Sequence, residues 1–201
     1  MLNAKVRNGW DRLMSPVGRS LARWRIGPNA ITLVGVLIQA VVAYLIVEDR
    51  LTVAGFVAIA AAFSDAIDGA VAKAANLTTK FGALLDSTAD RLSDALFFIP
   101  VAWLYGVSPN PAQADERWVA SLALTALVVS YLVSYVKARA EGLGYDCNVG
   151  IMERAERLIL VIVGLVFSAI LPVILGILTG LSLITVVHRI LHVRAQAKSV
   201  G

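Results

Sequence analysis

The sequence predicts an all-α integral membrane protein: six transmembrane helices preceded by an N-terminal interfacial amphipathic helix, with both termini cytoplasmic. Three observations predict it. The chain is 58% hydrophobic, above the roughly 45–50% of soluble domains, and its mean hydropathy is +0.76. Its apolar residues gather into runs near the ~20 residues that a bilayer requires. Its basic residues crowd into alternate connections, as the positive-inside rule demands.

The N-terminal segment 1–26 repeats Val6, Trp10, Leu13, Val17, Leu21 and Trp24 at spacings of three and four, while Arg7, Asp11, Arg12, Arg19 and Arg23 fall largely on the remaining face. That pattern predicts a helix lying in the headgroup region; the competing reading is a basic disordered tail. The short apolar core and small-residue cleavage site of a signal peptide are missing, so no cleavage is expected. Gly27-Pro28 then turns the chain into the first span. Six apolar runs follow, at about 28–47, 52–72, 82–105, 118–138, 157–171 and 174–191. The last two also read as one bent hairpin around Pro172. Helices satisfy their own backbone hydrogen bonds in lipid, and no alternating ten-residue segments suggest a barrel. The spans 28–191 form the core of a single domain, 1–201, which a short basic tail, 192–201, completes; there is no long linker and no convincing repeat.

With the N-terminus inside, Lys73, Lys80, Lys137, Arg139, Arg154, Arg157, Arg189, Arg194 and Lys198 join the N-terminal cations on the cytoplasmic side, and the outer turns keep only Arg50 and Arg117. The net charge of +4 therefore reads as membrane orientation with anion binding, not as nucleic-acid binding. A lone cysteine, Cys147, excludes a disulfide framework within the chain. His188 and His192 read as interfacial residues of the last helix.

The stretch "FSDAIDGAVAKAANLTTKFGALLDSTADRLSDAL" breaks the apolar pattern with Asp65, Asp68, Asp86, Asp90 and Asp94. Asp65 and Asp68 lie three apart and share one helix face; Asp86 and Asp90 lie four apart and share another. Both pairs sit at the cytoplasmic ends of consecutive spans, so a hairpin would bring four carboxylates together. Close like charges near a bilayer need compensation. Hard oxygen donors on rigid helices suit Mg²⁺ or Mn²⁺, and two such ions sharing carboxylates are poised for phosphoryl chemistry. Gly69 and Gly82 allow close helix approach or access for a bulky phosphate.

Asp65-x-x-Asp68-Gly69-x-x-Ala72-Lys73, then Gly82-x-x-x-Asp86-x-x-x-Asp90, resembles the signature of the CDP-alcohol phosphotransferases. The chain departs from it at Lys73, where the family places arginine; lysine keeps the charge and loses the bidentate fork. The resemblance implies six transmembrane helices, a homodimer, and a polar cavity opening to the cytoplasm at the plasma membrane. It implies CDP-diacylglycerol as donor and two divalent ions per subunit, one held by Asp65, Asp68 and Asp86, the other by Asp65, Asp86 and Asp90. Asp90 is also implied as the general base on the incoming hydroxyl, which attacks the β-phosphorus and releases CMP. Pro28, Asn29, Ala30 and Ile31 match the nucleotide contacts, and Gly69, Lys73 and Thr79 match further donor contacts. Asp94 falls outside the signature.

The signature leaves the acceptor alcohol open. Lys137 and Arg139 close one helix, Arg154 and Arg157 open the next, and Arg189 and Arg194 end the last. Such a cluster suits an acceptor that itself bears phosphate, or it anchors the helices by snorkelling. "SYVKARAE", "GIMERAERLILV" and "SPVGRSLAR" resemble stretches of actinobacterial phosphatidylinositol phosphate synthases. That resemblance implies inositol 1-phosphate as acceptor, held by Lys137, Arg154, Arg157 and a last-helix arginine, Arg194 ahead of Arg189. Glu153 and Glu156 are expected to balance these arginines. Two alternatives stand beside this: the same chemistry with glycerol 3-phosphate, and a cation transporter, which would instead place its acids near mid-bilayer in broken helices.

Overall fold

The computed structural model describes residues 28–74, 79–107 and 116–200, and their side chains except at 28, 64–74, 199 and 200. The expected interfacial helix 1–26 lies outside these residues, as does most of the outer turn at Ser108–Arg117. Within them the chain is helical, with no strand. The helices are α1 (Pro28–Val47), α2 (Leu51–Ala74), α3 (Lys80–Gly106), α4 (Trp118–Gly142), α5 (Arg154–Val166) and α6 (Leu171–Val200), with one 3₁₀ turn at Ser168–Ile170.

Local chemistry explains the boundaries. Pro28 stands first in α1, where its missing N–H costs nothing. Asp49 takes a left-handed φ of 58° in the turn to α2, a conformation aspartate tolerates. Thr79 caps α3: its Oγ1 accepts from the Gly82 N–H at 2.9 Å. Glu153 caps α5 in a capping box, with the Glu153 N–H donating to Glu156 Oε2 at 3.1 Å. Both glutamates therefore serve the helix start.

All six apolar runs fall on helices, with two differences at the C-terminal end. The break between the last two lies at 167–170, and Pro172 sits in the first turn of α6, where proline fits. The expected short tail after residue 191 is instead a continuation of α6 to Val200. Gln196 holds that extension: its Oε1 accepts from the Asp146 N–H at 3.1 Å, and its Nε2 donates to the Asp146 carbonyl at 2.6 Å.

By length and composition, Asn29–Val47, Trp118–Gly142 and Ser168–Lys198 can cross a membrane, and Leu51–Phe63 is a shorter apolar helix. Leu37, Phe56, Trp103 and Val173 project outward, each more than half exposed. An apolar exterior of this extent suits lipid rather than water.

Each helix packs mainly on two others: α1 on α2 and α3, α2 also on α5, α5 also on α6, α6 also on α4, and α4 also on α3. The helices thus close a ring in the order α1, α2, α5, α6, α4, α3, which puts α3 and α5 across from each other. One end of the ring is solid. Ile46, Ala54, Phe98, Val101, Leu104, Val119, Leu165 and Leu175 share one buried cluster there. Gly55 permits the tight seam between α2 and α5, because a Cβ on it would meet Val166 Cγ2 at 2.6 Å. The aspartates of α3 and the arginines at the start of α5 lie toward the other end.

Candidate active site

The first half of α3 carries Asp86, Asp90 and Asp94 at successive intervals of four, so all three rise along one face. Asp86 is exposed, and the side chains of Asp90 and Asp94 keep 18% and 13% of their accessible surface. Asp65 and Asp68 stand three apart in α2, on one helix face. Their side chains, with that of Lys73, lie outside the described residues.

Two expected donor-site residues meet at the start of α3. A Cβ on Gly82 would lie 3.0 Å from Thr79 Oγ1 and 3.5 Å from Asn29 Oδ1. The glycine thus opens a small polar cradle between α1 and α3, and Thr79 forms its wall while capping the helix.

Opposite α3, the first turn of α5 presents Arg154 and Arg157. Arg154 Nη1 lies 2.9 Å from Asp90 Oδ1, and Arg157 Nη2 lies 2.8 Å from Asp94 Oδ2. Arg91 Nη1 is 3.6 Å from Asp90 Oδ2 and donates to the Ser87 carbonyl at 2.7 Å. The Tyr131 hydroxyl braces that turn by donating to the Arg91 carbonyl at 2.8 Å.

Between these elements opens a cavity of about 320 Å³. Among the described residues, Arg91, Lys137, Arg154, Arg157 and Arg189 line it, with Asp90, Glu141 and Glu153 as the acids. With Arg157 matched by Asp94 behind the wall, the other four cations facing three carboxylates still leave an excess of positive charge, which suits an anion. Lys137 is the loosest of them, its Nζ 4.0 Å from Glu141 Oε1.

Arg189, ranked behind Arg194 on sequence grounds, reaches the cavity; Arg194 is exposed on α6 and does not line it. Five residues along a helix turn the side chain by about 140°, so the two arginines cannot share a face. Arg189 is 2% exposed and joins three elements. Its Nη1 donates to the Val133 carbonyl of α4 at 2.6 Å, its Nε to the Val149 carbonyl at 2.8 Å, and its Nη2 lies 3.5 Å from Glu153 Oε1. Sequence reasoning missed this clamp, because neighbouring positions give no hint of partners 40 and 56 residues away.

The loop 143–153 lies flat on α6. Gly150 has φ 132°, and a Cβ there would meet Thr185 Cγ2 at 2.5 Å. Thr185 Oγ1 accepts from the Met152 N–H at 3.0 Å. Cys147 is fully buried in this loop; burial raises its thiol pKa, with Arg189 opposing. It is a packed structural residue.

On α3, Asp86 and Asp90 offer carboxylate oxygens one turn apart, the hard donors a divalent cation takes, although the described residues alone hold no group of three or more such ligands. Nitrogen or sulfur ligands do not accompany them among the lining residues.

The architecture is that of a helical membrane protein with an acidic helix pair and a cationic cavity at one end. A model of the CDP-alcohol phosphatidyltransferase family matches residues 25–191, and the chain belongs to that family. The archaetidylinositol phosphate synthase of Pyrococcus horikoshii is 34% identical over 194 residues, covering 96% of this chain and 97% of its own. The phosphatidylinositol phosphate synthase of Corynebacterium glutamicum is 35% identical over 197 residues, covering 94% and 88%. Among solved structures, the phosphatidylinositol phosphate synthase of Mycobacterium tuberculosis with CDP-DAG bound superposes with a TM-score of 0.81 at 32% identity, covering 90% of this chain and 94% of that one. The same enzyme in complex with manganese and citrate also gives 0.81, covering 90% and 88%.

Proposed function

We propose that this enzyme transfers the phosphatidyl group of CDP-diacylglycerol to inositol 1-phosphate, giving phosphatidylinositol phosphate and CMP. The observation that carries the reading is the cation-rich cavity directly beside Asp90. An acceptor bearing a phosphate monoester matches its excess charge, and the archaetidylinositol phosphate and phosphatidylinositol phosphate synthases among the relatives support the choice. The relatives' lipid names differ while the inositol phosphate part is shared, so the head group is the common element.

In this reading Asp65, Asp68, Asp86 and Asp90 hold two divalent ions, Mg²⁺ or Mn²⁺, in line with the manganese complex of the mycobacterial enzyme. Bound there, the ions supply positive charge to the donor pyrophosphate and to the departing CMP. The Asn29, Thr79 and Gly82 cradle, with Pro28, Ala30, Ile31, Gly69 and Lys73, holds the nucleotide end of the donor. Lys137 and Arg154 hold the acceptor phosphate, with Arg157 and Arg189 behind them. Arg154 must exchange Asp90 for that phosphate, which leaves the Asp90 carboxylate to accept the proton of the attacking inositol hydroxyl. The new P–O bond forms at the β-phosphorus as its bond to CMP breaks. Positioning and charge placement supply most of the acceleration.

The chain is further proposed as a single domain of six membrane spans with a preceding interfacial helix. Both termini and the cavity face the cytoplasm at the plasma membrane, and the enzyme works as a homodimer. Purified protein given CDP-diacylglycerol, Mg²⁺ and either inositol 1-phosphate or glycerol 3-phosphate tests the acceptor. A labelled phosphatidylinositol phosphate product is expected; product from glycerol 3-phosphate alone overturns the reading.

A further inference from the structure

Asp94 lies one turn beyond Asp90, outside the aspartate signature, and the proposed chemistry gives it no task. Its surroundings do. Helices α3 and α5 stand on opposite sides of the ring; α5 packs along α2 and α6, and α3 along α1 and α4. Across the polar end, two arginine–aspartate pairs join them. The outer pair, Arg154 with Asp90, keeps 29% and 18% of its side-chain surface exposed. The inner pair, Arg157 with Asp94, keeps 4% and 13%.

These two pairs differ in what they can do. The outer one can trade partners for a ligand, because water and the cavity reach both ends. The inner one cannot: removing either member leaves a buried charge without compensation, and Arg157 Nε already lacks a hydrogen-bond partner. Arg154 and Arg157 share one face of α5, three residues apart. Where Arg157 is tied therefore sets how far Arg154 reaches.

We propose that Asp94, acting through Arg157, is the positioning residue that sets Arg154 for the acceptor phosphate. The inference rests on the acceptor reading above. Without the Asp94 carboxylate, the 2.8 Å tie that holds this face of α5 to α3 is lost. Arg154, three residues away on the same face, then loses its setting toward the acceptor side of the cavity. The effect falls on the acceptor side of the cavity, while the donor cradle of Asn29, Thr79 and Gly82 lies at the start of α3, remote from the inner pair.

Steady-state kinetics of Asp94→Asn and Asp94→Glu test this, with melting curves of both. For Asp94→Asn, the KM for inositol 1-phosphate is expected to rise about tenfold while the KM for CDP-diacylglycerol and kcat stay within about twofold. Titration calorimetry of inositol 1-phosphate into the Mn²⁺-loaded protein should show the same loss of affinity. Asp94→Glu, which keeps the charge on a longer arm, should recover only part of it, leaving a shift of about threefold. Both KM values moving together, or an unchanged acceptor KM, overturns the proposal. If Asp94→Asn does not fold, Asp94→Glu decides alone: a shift of about threefold in acceptor KM at an unchanged melting temperature supports it, and no shift overturns it. The unsubstituted protein is the control for the acceptor reading. No turnover there defeats that reading, whereas turnover there with an unaltered acceptor KM in the variants defeats only this inference.

Discussion

One helix, α3, runs through both ends of the ring, and its halves obey different rules. From Phe97 to Tyr105 it buries Phe97, Phe98, Val101, Leu104 and Tyr105 in the apolar cluster. From Lys80 to Asp94 it buries none of its residues fully and faces arginines across a cavity. The apolar half is held by packing, where shape matters and chemistry does not. The polar half is held by a few charge pairs, where chemistry matters and each partner is replaceable only by an equivalent group. Stability is concentrated at one end and reactivity at the other, so a change at either end should leave the other largely intact.

Substitutions can break that division. Asp90→Asn at the polar end should lower kcat about 10²–10⁴-fold, the usual worth of a positioned proton acceptor, without lowering the melting temperature. Measured CMP release that survives the substitution would remove Asp90 from the chemistry. At the apolar end, Phe98→Ala should cost about 3 kcal/mol. That is the low end of the range for a phenylalanine cavity, since helices in lipid keep the packing loss more than the transfer loss. Thermal unfolding in detergent measures it, and both KM values should be unchanged; an altered acceptor KM would show that the two halves are coupled. Smallest is Lys137→Ala, expected to raise the acceptor KM about tenfold, the worth of one charge-assisted hydrogen bond, with the donor KM unmoved. An equal rise in both would place Lys137 in the frame rather than at the acceptor.

The period of the sequence alone placed Asp86, Asp90 and Asp94 on one face and drew the helices, because 3.6 residues per turn leaves no choice once a run is helical. Thr79 could be read as a donor contact, and its second duty as a cap follows from the Gly82 N–H that it accepts. The arginines were less legible. Positive-inside placement makes Arg189 and Arg194 look alike, and only the packing of α6 turns one to the cavity and the other outward. Likewise the end of α6 depends on Gln196 meeting Asp146, a contact between residues 50 apart.

What the sequence determined by itself was therefore local and periodic: helices, their apolar length, the carboxylate faces and the side on which cations gather. The tertiary structure decided which charge meets which. Arg154 with Asp90, Arg157 with Asp94, and Arg189 with Val133, Val149 and Glu153 are long-range choices. The physical reason is that a charge's partner is set by distance in space, and closing a ring of six helices is what fixes those distances.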